Sequence, residues 1–463
     1  MSERLASGVP GLDQVLGGGL PADAINLIVG LPGTGKTLLA QQYVFENATA
    51  ERPAVYLSTT SEPLEKVVRY GQTLGFFDNE AVGRRVLYED LGGTLIKNGI
   101  QAALERVKAV LDERDPMLLV VDSFKPLATL ADSRAGYRRF LHELAARLSI
   151  RPISSFWLGE WAVNEMASSP EFAIADAVIW LSTGRYEQRE IRLLQVLKLR
   201  GSGFLTGSHA YRLSAEGMRV FPRLADRAEQ AVYGLEPHWV SSGVKTLDTL
   251  LGHGFRAGSA TLVVGPSGAG KTVLGLQFAF AGARQRDPTV FATFDENPSQ
   301  LATTAANFGW SIEMPEIRLM YRSAVDLHLD EWVYELLETV ESQHVRRVFI
   351  DGLVSLRTAA HDPTRFQEYL YSLVQRFARQ GVTLMMSLES PELFGLTRLP
   401  DTPLSQISDN VLLLQFVRRD SEYQRALTVL KNRAARSEPS LTRYAIGASG
   451  IELRQPGPPA RSR

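Results

Sequence analysis

The chain has 463 residues, 44% of them hydrophobic and 22% charged; at roughly 100 to 200 residues per domain it holds two to four globular domains, not one small module. Lys and Arg number 50 against 51 Asp and Glu, and the net charge of −1 excludes the global basic excess of a nucleic-acid coat. The absence of cysteine excludes disulfide frameworks, thiolate metal sites and cysteine nucleophiles.

In chain order, MSERLASGVPGLD lacks the apolar core of a signal peptide, and no apolar run reaches the ~18 to 20 residues of a membrane span, so a cytoplasmic location is expected. AINLIV (24–29) reads as a short buried strand, GLPGTGKT follows at 30–37, and TLLAQQYVFENA has apolar residues at helical spacing. AVYLS (54–58), MLLVVD (117–122) and AVIWL (177–181) are further expected strands, separated by helical stretches such as IQAALERVKAVLDE. PRLADRAEQAVYGLEPHW, from residue 222, is polar and unpatterned and reads as a join. The order then starts again with ATLVV, GPSGAGKT (265–272), TVFATF, RVFID, TLMMSL and NVLLL.

This is a duplication. Lys36 and Lys271 lie 271 − 36 = 235 residues apart, and at that offset residues 7–37 match 242–272 at 16 of 31 positions, where unrelated sequences of average usage give about two. Each copy is long enough for its own core, which divides the chain into domains at 1–232 and 233–463. Strands alternating with helices predict an α/β fold with a mostly parallel sheet covered on both faces and ligands at the carboxyl ends of the strands.

The pattern G-x-x-x-x-G-K-[ST] between strand and helix is a phosphate loop. Gly30, Gly33 and Gly35 let backbone N–H groups wrap a phosphate, Lys36 neutralises its oxygens, and Thr37 offers a hydroxyl to Mg²⁺. Gly265, Gly268, Gly270, Lys271 and Thr272 repeat those roles, with Thr34, Leu38, Ala269 and Val273 completing the two nucleotide cradles. Asp122 and Asp351 end buried strands 86 and 80 residues past the lysines (122 − 36; 351 − 271) and are the expected magnesium-side carboxylates. In copy two the strand TVFATF runs into Asp295 and Glu296, acids suited to orienting an attacking water. Copy one has Thr60 and Ser61 there, with Glu62 one place on, so it is expected to bind nucleotide and hydrolyse it slowly.

The leading SGxxxLDxxLGxG, the Walker pair, the adjacent acids and the duplication together resemble the KaiC family of RecA-like P-loop ATPases, over nearly the whole chain. LKLRGSGFLTGSHAYRLSAEGMRVFP (197–222) is similar to that family's LKLRG strand and closing hairpin. The resemblance implies two tandem RecA-like domains binding ATP with Mg²⁺, assembled as a hexameric ring. It also implies basic residues that reach a neighbouring subunit's nucleotide: Lys198 and Arg200 in copy one, Lys431 and Arg433 in copy two, where Ala434 replaces the family's glycine. Phe308 takes the position of an aromatic near adenine. TPLSQISDNVLLLQ resembles the segment holding the clock member's Ser-Thr phosphoacceptor pair, which makes Ser405 the candidate acceptor beside Gln406, with Ser408 a nearby hydroxyl. After GIELRQ only PGPPARSR remains where the clock member carries a partner-binding tail, so a signalling-protein partner is expected but a complete oscillator is not. Two other readings compete: a RecA/RadA-type DNA-dependent ATPase, and a non-catalytic scaffold that nucleotide merely assembles. The near-zero charge argues against the first, and Asp295 and Glu296 argue against the second.

Overall fold

A computed structural model describes residues 3–60, 62–186, 189–224, 238–325, 327–360, 362–393, 402–419, 422–434 and 440–454. The chain forms two compact units, residues 1–223 and 224–463. The expected boundary at 232/233 lies outside the described residues.

In unit one the strands are β1 (Ile25–Gly30), β2 (Ala54–Ser58), β3 (Val86–Asp90), β4 (Leu118–Asp122), β5 (Ser154–Gly159), β6 (Ala177–Tyr186), β7 (Arg189–Leu199), β8 (His209–Ser214) and β9 (Gly217–Phe221). They form one sheet in the order β9-β8-β7-β6-β1-β5-β4-β2-β3, parallel from β6 through β3 and antiparallel beyond. The helix α1 (Lys36–Asn47) follows the first loop, and the short α2 (Glu171–Ile174) precedes β6. Unit two repeats this with β10 (Ala260–Gly265), α3 (Lys271–Arg284), β11 (Thr289–Thr293), β12 (Ile317–Tyr321), β13 (Arg347–Asp351), β14 (Thr383–Glu389), α4 (Thr402–Ile407), β15 (Asn410–Arg419), β16 (Glu422–Asn432), β17 (Thr442–Gly447) and β18 (Gly450–Leu453). Its sheet order, β12-β11-β13-β14-β10-β15-β16-β17-β18, is the same order read from the other edge.

The central strands are continuously apolar because helices cover both faces. Successive residues alternate between two cores: Ile28, Val120 and Phe156 pack on one face, Leu27, Val121 and Trp157 on the other. Unit two divides in the same way, with Leu262, Val348 and Ile350 opposite Val263, Phe349 and Met385. Each such side chain contributes about 1.5–3 kcal/mol on burial, so register and strand order are strongly specified. The duplicated SGxxxLD segment is structural: the backbone N–H of Ser7 donates to Asp13 at 3.1 Å and that of Ser242 to Asp248 at 2.7 Å.

Two parallel strands of unit one lacked a pattern in the sequence. β5 opens on Ser154 and Ser155, yet is buried throughout because Ser155 Oγ accepts the indole N–H of Trp157 at 2.7 Å. β3 is half exposed at the sheet edge and never shows an apolar run.

Candidate active site

β1 ends at Gly30 and α1 begins at Lys36, so the first loop crosses the carboxyl edge of the sheet, and the loop between β10 and α3 does the same. Gly35 (φ 89°) and Gly270 (φ 96°) hold the left-handed backbone that starts each helix. A Cβ at Gly33 or Gly268 would meet nothing within 4 Å, so this side of each loop is open to a ligand. Lys36 donates to Gly30 O at 3.0 Å and Leu31 O at 2.9 Å, while Lys271 donates to Gly265 O at 2.8 Å and Pro266 O at 2.9 Å. Burial lowers both lysine pKa values, opposed by Glu160 and Asp122 in copy one and by Glu389, Asp351 and Asp295 in copy two. Thr34 is buried with its hydroxyl on Leu31 O at 2.8 Å, and Leu38 packs against the core beneath the loop.

Each threonine meets its strand-end aspartate. Thr37 Oγ1 donates to Asp122 Oδ2, and Thr272 Oγ1 to Asp351 Oδ2, both at 2.7 Å. Burial raises both carboxyl pKa values, and these hydroxyls and the loop lysine pull them back. A second hydroxyl reaches each aspartate from a different strand: Tyr56 of β2 at 2.5 Å in copy one, Ser387 of β14 at 2.5 Å in copy two.

Copy two opens a pocket of about 350 Å³ over this pair, lined among others by Lys271, Thr272, Val273, Asp295, Glu296 and Asp351. Glu296 is half-buried, and its Oε2 has no hydrogen-bond partner among the described residues. Its pKa is raised by desolvation first, then by Asp351 and Asp295. Asp295 is exposed and accepts from Ser355 Oγ at 2.7 Å. In copy one Thr60 is exposed, Ser61 lies outside the described residues, and Glu62 pairs with Lys66 at 3.2 Å. The hydroxyl and carboxylate of Thr272 and Asp351 are oxygen donors of the kind Mg²⁺ takes, and one or two protein carboxylates suffice for it. Glu296 beside them, with Oε2 left without a partner among the described residues, fits a site that receives a cation and a polarised water.

Three further contacts recur in both copies and were missed in the sequence. Glu160 sits 3.8 Å from Lys36, and Glu389 occupies the same strand-end place in copy two; an acid at the end of each buried strand (SSFWLGE, TLMMSLE) was the available signal. Arg192 of β7 donates to Gly33 O at 2.8 Å and Arg425 of β16 to Gly268 O at 3.3 Å. Tyr211 and Tyr444 donate to the next carbonyls, Thr34 O and Ala269 O.

Lys198, Arg200, Lys431 and Arg433 stand elsewhere. Lys198 is opposite Val178 at the start of β6, six residues along β7 from Arg192, a separation of about 20 Å at 3.3 Å per residue. It donates to Phe172 O at 3.0 Å, and Arg200 donates to Asp176 Oδ1 at 3.2 Å. In copy two Lys431 donates to Ser405 O at 2.7 Å and Ser408 O at 2.6 Å, and Arg433 to Gln406 O at 3.0 Å. All four therefore lie at the edge of their sheet opposite their own phosphate loop, together with Ser405. Phe308 is half-buried and lies against Trp310 in a tilted pair with ring centroids 4.9 Å apart, and Thr304 and Ile446 are among the residues lining the pocket. One expectation needs correction. Ser408 is no spare hydroxyl: it is fully buried and donates to Leu404 O at 2.8 Å. Among the described residues no helix is long and apolar enough to cross a membrane.

Two mostly parallel sheets, each carrying a strand, a phosphate loop, a helix and a buried strand-end aspartate against the loop threonine, define tandem RecA-like P-loop ATPase domains. The family model described as "ATPase: KaiC" matches residues 5–225 and 240–457, and the chain belongs to that family. It is 25% identical to the circadian clock oscillator protein KaiC 1 of Synechocystis sp., over 98% of this chain and 89% of that protein. It is likewise 25% identical to the circadian clock oscillator proteins KaiC of Rippkaea orientalis (96% and 88% covered) and Thermostichus vulcanus (98% and 89%).

Proposed function

We propose that this KaiC-family ATPase hydrolyses ATP with Mg²⁺ in copy two and binds nucleotide in copy one with little turnover. The observation that carries this is Glu296, a half-buried carboxylate with an unpartnered oxygen beside Asp351, where copy one has Thr60 and Ser61. Thr37 with Asp122, and Thr272 with Asp351, are the residues that would hold magnesium. When bound, the ion offsets phosphate charge and favours departure of the leaving group. Lys271 leaves its two loop carbonyls for phosphate oxygens, and the Gly268 to Gly270 backbone donates N–H groups to them. Glu296 orients the attacking water and takes its proton, and burial beside Asp351 and Asp295 raises its pKa, which makes it a stronger base than an ordinary glutamate. Asp295, tied to Ser355, stands behind it as a second charge.

Lys198, Arg200, Lys431 and Arg433 face away from their own loops, which supports a ring, read as a hexamer, in which each serves a neighbour's nucleotide. Ser405, whose carbonyl Lys431 grips, would then be the hydroxyl that takes the γ-phosphoryl of a neighbouring copy's ATP, with ADP leaving. A cysteine-free chain suits a reducing compartment, and the reading carries a cytoplasmic signalling or timing role with a signalling-protein partner. Phosphate release by the full chain and its Glu296→Gln variant tests the hydrolysis, and native mass with and without ATP tests the ring. A monomer in both conditions removes the neighbour's basic residues from the mechanism.

A further inference from the structure

We infer that Tyr211 and Tyr444 are positioning residues for the two phosphate loops: each hydroxyl fixes one loop peptide so that the following glycine N–H faces the phosphate site. The inference rests on reading both loops as nucleotide sites. Both tyrosines come from the strand after the long antiparallel pair, β8 in copy one and β17 in copy two, and each is 4% exposed. Tyr211 donates to Thr34 O at 2.6 Å, and Tyr444 donates to Ala269 O. The peptide plane sets the consequence. Across a trans peptide the carbonyl oxygen and the next N–H point to opposite sides. Holding the oxygen of residue 34 or 269 toward the C-terminal hairpin therefore turns the N–H of Gly35 or Gly270 away from it, into the loop.

The surroundings support a device rather than a chance contact. The preceding carbonyls, Gly33 O and Gly268 O, accept from Arg192 and Arg425. Arg425 and Tyr444 are cross-strand partners, and the pairing Ala210↔Leu193 brings Tyr211 beside Arg192 in the same way. The hairpin packs closely against both glycines: a Cβ at Gly35 would lie 3.1 Å from Leu213 and one at Gly270 would lie 2.8 Å from Ile446. Each loop is thus held at two successive carbonyls by one arginine and one tyrosine of its own domain. An unpinned peptide can flip, and a flip presents a carbonyl to the phosphate in place of a donor.

The test uses the full chain and its Tyr211→Phe and Tyr444→Phe variants, with equilibrium binding of ATP and nucleotide-free thermal unfolding measured on each. Expected is one class of site weakened about tenfold or more in each variant, a different class in each, as for loss of one hydrogen bond to a charged group. Ile451→Val trims the same copy-two hairpin without touching the loop carbonyl and controls for packing loss. The inference is overturned if Tyr444→Phe binds ATP as the parent does, or loses no more affinity than Ile451→Val at an equal drop in unfolding midpoint. Should the parent chain bind no nucleotide, the reading of the loops fails and takes this inference with it.

Discussion

Replacing Glu296 by Gln keeps the shape of the copy-two pocket and removes the acid of its lining that has a buried oxygen without a hydrogen-bond partner among the described residues. A positioned base contributes about 10²–10⁴-fold to the rate, so saturated turnover of the copy-two site should fall at least ~100-fold, about 2.7 kcal/mol at 1.36 kcal/mol per decade. Binding should hold or tighten, because the substitution removes one of three neighbouring negative charges, Asp295, Glu296 and Asp351, from beside a polyphosphate. Stability follows the same electrostatics. A carboxyl whose folded pKa is raised contributes most below its unfolded pKa, and that contribution is lost as pH rises through the folded value. The nucleotide-free Glu296→Gln variant should therefore be at least as stable as the parent above neutral pH. The assay is phosphate release at saturating ATP and magnesium, with unfolding midpoints measured alongside. Retention of more than half the turnover, or a larger loss in Asp295→Asn than in Glu296→Gln, would refute the assignment of the base.

The remaining expectations concern asymmetry, pH and assembly. Lys36→Ala should halve the nucleotide bound per chain and spare most hydrolysis, while Lys271→Ala abolishes hydrolysis; equilibrium binding and phosphate release separate them, and equal losses would contradict a slow copy one. Since burial and two acids hold the Glu296 carboxyl above the usual glutamate range, turnover should decline on acidification before ordinary glutamates protonate. A pH profile unchanged by Asp351-sparing substitution at Asp295 would remove that neighbour as a cause. Lys431→Ala with Arg433→Ala should cut turnover without weakening copy-two ATP affinity more than tenfold, as expected of groups acting on developing charge. Phosphopeptide mapping after incubation with ATP should find Ser405 modified and Ser408 untouched, because the Ser408 hydroxyl is buried and already donating.

Chain order and local pattern already contained the two phosphate loops, their threonines, both strand-end aspartates and the duplication, because these depend on contiguous residues. A glycine-rich turn between a buried strand and a helix has one geometry, and a continuous apolar strand must be covered on both faces. The acid pair at 295 and 296 was equally legible as a difference between copies, but its use was not. Only folding separates Asp295, exposed and held by Ser355, from Glu296, half-buried with a free oxygen. Tertiary structure alone brought Tyr56 and Ser387 to the strand-end aspartates and Arg192, Arg425, Tyr211 and Tyr444 to the loops, since each comes from a strand distant in sequence that the sheet order places near the site. It also set Lys198 and Lys431 about 20 Å from their own loops along β7 and β16. Spacing along a strand reveals which residues share it; only the sheet order and register decide which end meets the nucleotide and which is left for a neighbour.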